Sequence, residues 1–385
     1  MIFSPHTLHA AVPLSDEHRA AVIQKFVLIA EARKAQGEPA PAPAPAPAGD
    51  SVSIDLTTVS QAGNFDAYVG IRFNGDDTGS LTSLIVDSGN STLIVPYWEH
   101  IQDLPGYTVL GAGREPWGSP ANIVKGPILL PTSDGGVYTI PDCVFYACTG
   151  GSRTANFGAG RPTPWSANGW NTPSGVPGLV MQAPLSYNTD YPYAEFSYAS
   201  AEEIFGADGA PTVVSNSFLV LYRSQPSGYT VLQTLQNLEW MAVIPQSLSI
   251  EGTGTPWPGS VSAPIAMVDT GGGPVFLSDP DGYVYQTTWG DPAACPGWTS
   301  TSLNCQCISG QIGLQLGDGT TSVSYTIDPA LLPAPAKGLT AVLCQTNAFM
   351  MGRQGMNIGG ISALFNDILV DYAGSQVGFR AKAPT

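Results

Sequence analysis

Two segments of this chain share one form. Ser83-Leu84-Ile85-Val86-Asp87-Ser88-Gly89-Asn90 and Pro264-Ile265-Ala266-Met267-Val268-Asp269-Thr270-Gly271-Gly272 are each an apolar strand ending in Asp, a hydroxyl residue and Gly. Their aspartates lie 182 positions apart, about half of the 336 residues that follow residue 49. That spacing predicts an internally duplicated chain with one half built around each strand end. A third match, Asp77-Thr78-Gly79-Ser80, has no strand feeding it. It follows Asn74-Gly75-Asp76, so the turn residues predict a hairpin loop and Asp77 is expected to lie away from the other two.

The duplicated strand ends sit in a chain punctuated by 44 Gly and 34 Pro among 385 residues, which favours short strands and excludes an all-α bundle. Short apolar runs bounded by turn residues predict strands at 68–73, 84–86, 93–95, 128–130, 144–146, 218–221, 265–268 and 368–370. Brief helices are expected at 200–205 and 361–365. With 43% apolar and 11% charged residues the chain can bury a large core. The expected fold class is all-β.

Residues 1–38 are read as an N-terminal helical segment, a pro-segment or an appendage, with Ser15, Asp16 and Glu17 starting a helix that reaches residue 36. Residues 39–49 alternate Pro and Ala as a stiff linker. Two β lobes, 50–218 and 219–385, are expected to follow.

Charge and histidine content narrow the chemistry. A net charge of -16 opposes binding to a phosphate backbone, so no nucleic-acid partner is expected. No run approaches eighteen apolar residues, and no signal peptide is legible at the N-terminus, so no membrane association is expected. Three of the four histidines, His6, His9 and His18, precede the linker, leaving His100 alone in the main body. A Ser or Cys nucleophile normally needs a His base, and catalytic zinc normally takes His ligands. Carboxylates remain for acid and base work, and neither metal nor cofactor is called for.

At these residues the chain resembles the pepsin-type aspartic proteases, whose two β lobes each give one Asp-Thr/Ser-Gly loop to a shared cleft. Gly175-Val176-Pro177-Gly178-Leu179-Val180 resembles the stretch behind the first catalytic loop. Asn357-Ile358-Gly359-Gly360-Ile361, 368–371 and 377–379 resemble its counterpart and the family's last strands. The resemblance covers about 66–379. It implies a bilobal, pseudo-two-fold fold and an endopeptidase in which Asp87 and Asp269 share one proton and activate a water. Peptide or unfolded protein would be the substrate, a pepstatin-type compound the inhibitor, and the monomer the working form. Ser88 and Thr270 would lock the loops together, and Gly89 and Gly271 would let backbone approach the carboxylates. A binding protein that has lost proteolysis is the alternative on the same scaffold.

Departures from the family are specific. Asn90 and Gly272 stand where a Ser or Thr usually donates to the adjacent aspartate. Asn90 can donate through its amide, whereas Gly272 leaves Asp269 short of one donor. Ile94 replaces a usual Trp. No flap tyrosine is found, and Trp117-Gly118-Ser119, ahead of Gly126-Pro127-Ile128, is the candidate flap tip.

Six cysteines suggest an oxidising or secreted setting, with a cytoplasmic one left open. The resemblance implies a Cys307–Cys344 disulfide, with Cys295–Cys305 closing a small loop beside it. A zinc cluster of Cys295, Cys305 and Cys307 is the rival. Cys143 and Cys148 lie about 16 Å apart in a straight strand, so either the strand bends or both thiols are free.

Overall fold

The computed structural model describes residues 49–61, 64–76, 79–116, 118–150, 155–160, 176, 179, 181–206, 212–235, 241–250, 265–271, 275–278, 305–308, 310–331, 341–344 and 355–382. The N-terminal segment and nearly all of its linker, Asp77, Trp117, Gly272 and Cys295 lie outside them.

Strands dominate. The first eight are β1 (Ser51–Gln61), β2 (Asn64–Phe73), β3 (Thr82–Asp87), β4 (Leu93–Val95), β5 (Thr108–Arg114), β6 (Pro120–Pro131), β7 (Val137–Cys148) and β8 (Asn156–Gly158). Next come β9 (Tyr193–Ser197), β10 (Val213–Tyr222), β11 (Thr230–Gln233), β12 (Ala242–Ile250), β13 (Ile265–Met267) and β14 (Val275–Ser278). The last are β15 (Cys305–Ile308), β16 (Ile312–Gly317), β17 (Ser322–Ile327), β18 (Ala341–Cys344), β19 (Gly355–Asn357), β20 (Asn366–Asp371) and β21 (Gln376–Ala381). All eight expected strand segments fall on these elements, and β10 runs straight through the expected lobe boundary at residue 218.

The two short α-helices among the described residues are α1 (Ala201–Phe205) and α2 (Ser362–Phe365). The first begins because Ser200 caps it reciprocally. The Ser200 hydroxyl accepts from the Glu203 N–H, and the Glu203 carboxylate accepts from the Ser200 N–H. Gly206, at φ 67°, ends it.

The two Asp strands sit in strand runs of matching pairing order. One sheet contains the run β2-β3-β8-β4-β7, and the other contains β12-β13-β19-β14-β18. In both runs the successive pairings are antiparallel, parallel, antiparallel and parallel. Each Asp strand therefore lies between an antiparallel neighbour and a short parallel strand. Next to the first run, the order β1-β10-β9-β20-β21-β11 is antiparallel throughout and symmetric about the β9/β20 contact.

An ionic cluster ties that central contact together. Arg380 on β21 donates to Asp367 on β20 at 2.8 Å and to Glu195 on β9 at 3.0 Å. Tyr222 of β10 adds a hydrogen bond to Glu195. Such half-buried charges persist only when paired. The apolar core runs beneath both sheets and includes Leu84 and Val86 of β3 together with Ala266 and Val268 at the second strand end. No helix among the described residues is long and apolar enough to cross a membrane.

Candidate functional site

Asp87 closes β3 and Asp269 follows β13 by two residues; the structure brings the two together. Their carboxyls are 6% and 2% exposed by residue, although each would be strongly hydrated if it stood alone. Contact is made through the paired glycines. A Cβ on Gly89 would fall 2.7 Å from Asp269 Cγ, and one on Gly271 would fall 2.8 Å from Asp87 Cγ. Each loop thus lays bare backbone against the other loop's carboxylate, and only Gly leaves room for this.

The hydroxyl residues interlock the loops. Ser88 Oγ donates to Val268 O at 2.9 Å and accepts from the Thr270 N–H at 2.9 Å. Reciprocally, Thr270 Oγ1 donates to Val86 O at 3.3 Å and accepts from the Ser88 N–H at 3.1 Å. A hydroxyl is the smallest group that can donate and accept at once, which is what each position demands. Ser88→Ala or Thr270→Ala leaves one buried N–H and one buried carbonyl without partners. The expected loss is about 3 kcal/mol of unfolding free energy in urea titrations, whereas Ser88→Thr should retain most of it.

Each aspartate is held by two donors. Asp87 Oδ1 accepts from the Gly89 N–H at 2.8 Å, and its Oδ2 accepts from Asn156 Nδ2 at 2.8 Å. Asp269 Oδ1 accepts from the Gly271 N–H at 2.9 Å, and its Oδ2 accepts from Asn357 Nδ2 at 2.6 Å. Burial, followed by the charge of Asp269 and a hydrogen bond with it, pushes the Asp87 carboxyl well above its ordinary range; Asn156 and Gly89 pull in the other direction.

Three expectations change here. The Asn90 side chain does not donate to the Asp87 carboxylate: its amide donates to Asn156 Oδ1 at 2.9 Å, and Asn156 completes the link to the aspartate. Asp269 is not short of a side-chain donor, because Asn357 supplies from β19 what position 272 cannot. The strand behind the first loop is β8, not the 175–180 stretch. Of that stretch Val176 and Leu179 are described, and they pack on the cluster of Ile94, Ile123, Tyr146 and Met181.

Of the candidate flap residues, Gly118 and Ser119 are described, and they lie between β5 and β6, strands that pair antiparallel. Gly118 takes φ 95° there, and buried Glu115 accepts from the Ser119 N–H at 2.7 Å. His100 lies in an exposed turn beside Tyr97.

Cys143 and Cys148 are both buried on β7 with no disulfide between them, and from Cys143 to Cys148 the strand keeps unbroken register against β6. In the β15/β18 ladder Cys305 stands opposite Cys344, and Cys307 stands opposite Val342. The side chains of Cys305, Cys307 and Cys344, and with them the expected Cys307–Cys344 disulfide, lie outside what the structure describes.

No protein-family model matches the chain, and comparison with curated proteins finds no significant match.

Proposed function

We propose that the protein is an aspartic endopeptidase of the pepsin type, with its two β lobes meeting at the Asp87/Asp269 pair. The observation that carries this reading is the reciprocal seating of the two Asp-hydroxyl-Gly loops, each glycine against the opposite carboxylate. A purely structural pair of strand ends has no use for two buried carboxyls sharing a proton, whereas acid–base hydrolysis requires them.

In this reading the ionised member of the pair draws a proton from a water, and the protonated member donates to the scissile carbonyl oxygen. Water attacks directly and no acyl-enzyme forms; as the tetrahedral adduct collapses, the pair gives one proton to the departing amine nitrogen and takes one from the adduct's hydroxyl, ending with the single proton it began with. The Ser88/Thr270 interlock holds the carboxyls at constant separation through this cycle. The β5–β6 hairpin is the proposed flap over the substrate, and extended peptide or unfolded protein is the proposed substrate.

The test is incubation of the full chain with a denatured protein from about pH 3 to 7, with and without a pepstatin-type inhibitor. Internal cleavage with two pH limbs, blocked by the inhibitor, is expected. A folded protein that cleaves nothing across this range, yet retains the inhibitor, would instead be a binding protein on the same scaffold.

A further inference from the structure

We propose that Asn156 and Asn357 are a matched pair of positioning residues that fix the carboxylate planes of the dyad and set the pH range in which it ionises. This rests on reading Asp87 and Asp269 as a catalytic pair.

Their placement is symmetric. Asn156 on β8 pairs with Ile85, and Asn357 on β19 pairs with Met267, in each case two residues before the aspartate on a parallel neighbour. Both begin an Asn-apolar-Gly triplet, Asn156-Phe157-Gly158 and Asn357-Ile358-Gly359. Both are buried, at 2% and 7% exposure, where an apolar side chain would avoid the cost of desolvating an amide.

Backbone donors dictate which end of each amide meets the carboxylate. The Gly359 N–H donates to Asn357 Oδ1 at 2.8 Å, so the NH₂ group must face Asp269. On the other side the Thr92 N–H donates to Asn90 Oδ1 at 3.1 Å, which turns Asn90 Nδ2 towards Asn156 Oδ1 and leaves Asn156 Nδ2 for Asp87. An N–H cannot accept, so neither amide can flip without opposing two donors. Each aspartate therefore has a side-chain donor that favours its charged form and counteracts burial and mutual repulsion. Among the described residues the other titratable group beside the pair is Tyr198. Its buried hydroxyl lies near Thr270 without a well-formed hydrogen bond, with Asp66 beyond it. Burial raises the Tyr198 proton affinity further, so it stays neutral throughout acidic and neutral pH.

The two supports differ in one respect: Asn357 is oriented by backbone and Asn156 by the side chain of Asn90. Substitution at Asn90 should act on Asp87 only through Asn156.

The experiment titrates the aspartate carboxyls of the full chain by ¹³C NMR in Asn156→Leu, Asn357→Leu, Asn90→Ala and Asn90→Ala/Asn156→Leu variants, alongside pH profiles of kcat/KM. Losing a charge-assisted donor should raise the pH at which the dyad ionises by about one unit, and the alkaline limb of activity should move up with it. Asn90→Ala should give a smaller shift that vanishes in the Asn156→Leu background. Unmoved titrations in folded Leu variants, or shifts that add in the double variant, would overturn the proposal. If the Leu variants do not fold, the wild-type side-chain ¹⁵N–¹H signals of Asn156 and Asn357 decide it. They should shift with dyad ionisation and exchange slowly with solvent, and pH-independent signals would contradict the assignment. Carboxyl shifts as expected in a protein that hydrolyses no peptide would keep the amide assignment and remove the peptidase reading.

Discussion

Asp87→Asn and Asp269→Asn should each lower kcat/KM for peptide hydrolysis by about three to four orders of magnitude, the range associated with losing a positioned acid or base. Fold and substrate binding should persist, because an amide fills the same volume. Stability supplies an independent sign. Folding raises the proton affinity of Asp87 above its ordinary value of 3.8, chiefly by burial. An acid shifted this way opposes folding once the pH exceeds its unfolded value, and the penalty grows until the folded carboxyl has itself ionised. Wild-type stability should therefore fall as pH rises from about 4 towards neutrality. Asp87→Asn should flatten that part of the curve, with melting temperatures of the two proteins across pH 3 to 8 as the readout. A parallel pair of curves would mean that Asp87 is ordinarily hydrated.

Gly89→Ala and Gly271→Ala should have the next largest effect. The added methyl on Gly89 meets Asp269 Oδ2 and Oδ1 at 2.8 and 2.9 Å, and that on Gly271 meets Asp87 Cβ at 2.8 Å and Oδ1 at 3.0 Å. Neither carboxylate can retreat without losing the amide and backbone donors that hold it. A displacement approaching an ångström at reacting groups costs about 100-fold in rate, and overpacking a closed site costs about 1–3 kcal/mol of stability. Both losses should appear together, in turnover and in denaturant midpoint. A fully active Gly89→Ala protein would mean that the loops are farther apart than their contact here implies.

The parts of this site that are local in sequence were legible there. An apolar strand ending in Asp-Ser-Gly or Asp-Thr-Gly announces itself within eight residues. The turn residues after Phe73 likewise mark the loop that joins β2 to the paired β3. Asn156 and Asn357 were not legible, because their role exists only once a parallel strand pairing brings them to an aspartate 69 or 88 residues away. The recurring Asn-apolar-Gly triplet was the available signal. It carries weight only beside the recurring Asp loop, since each triplet lies at the same register from its own aspartate. The 175–180 stretch resembled the missing strand in composition alone, and composition does not specify a partner.

Whether the Asp87/Asp269 pair drives water directly onto a peptide bond decides the proposed function. Cleavage of a denatured protein in H₂¹⁸O at acidic pH, with hydroxylamine present and products read by mass spectrometry, addresses this in one measurement. Direct attack predicts new C-termini each carrying one ¹⁸O and no hydroxamate, with none formed by Asp87→Asn or Asp269→Asn. Hydroxamate products, or new termini that persist in both variants, would contradict it.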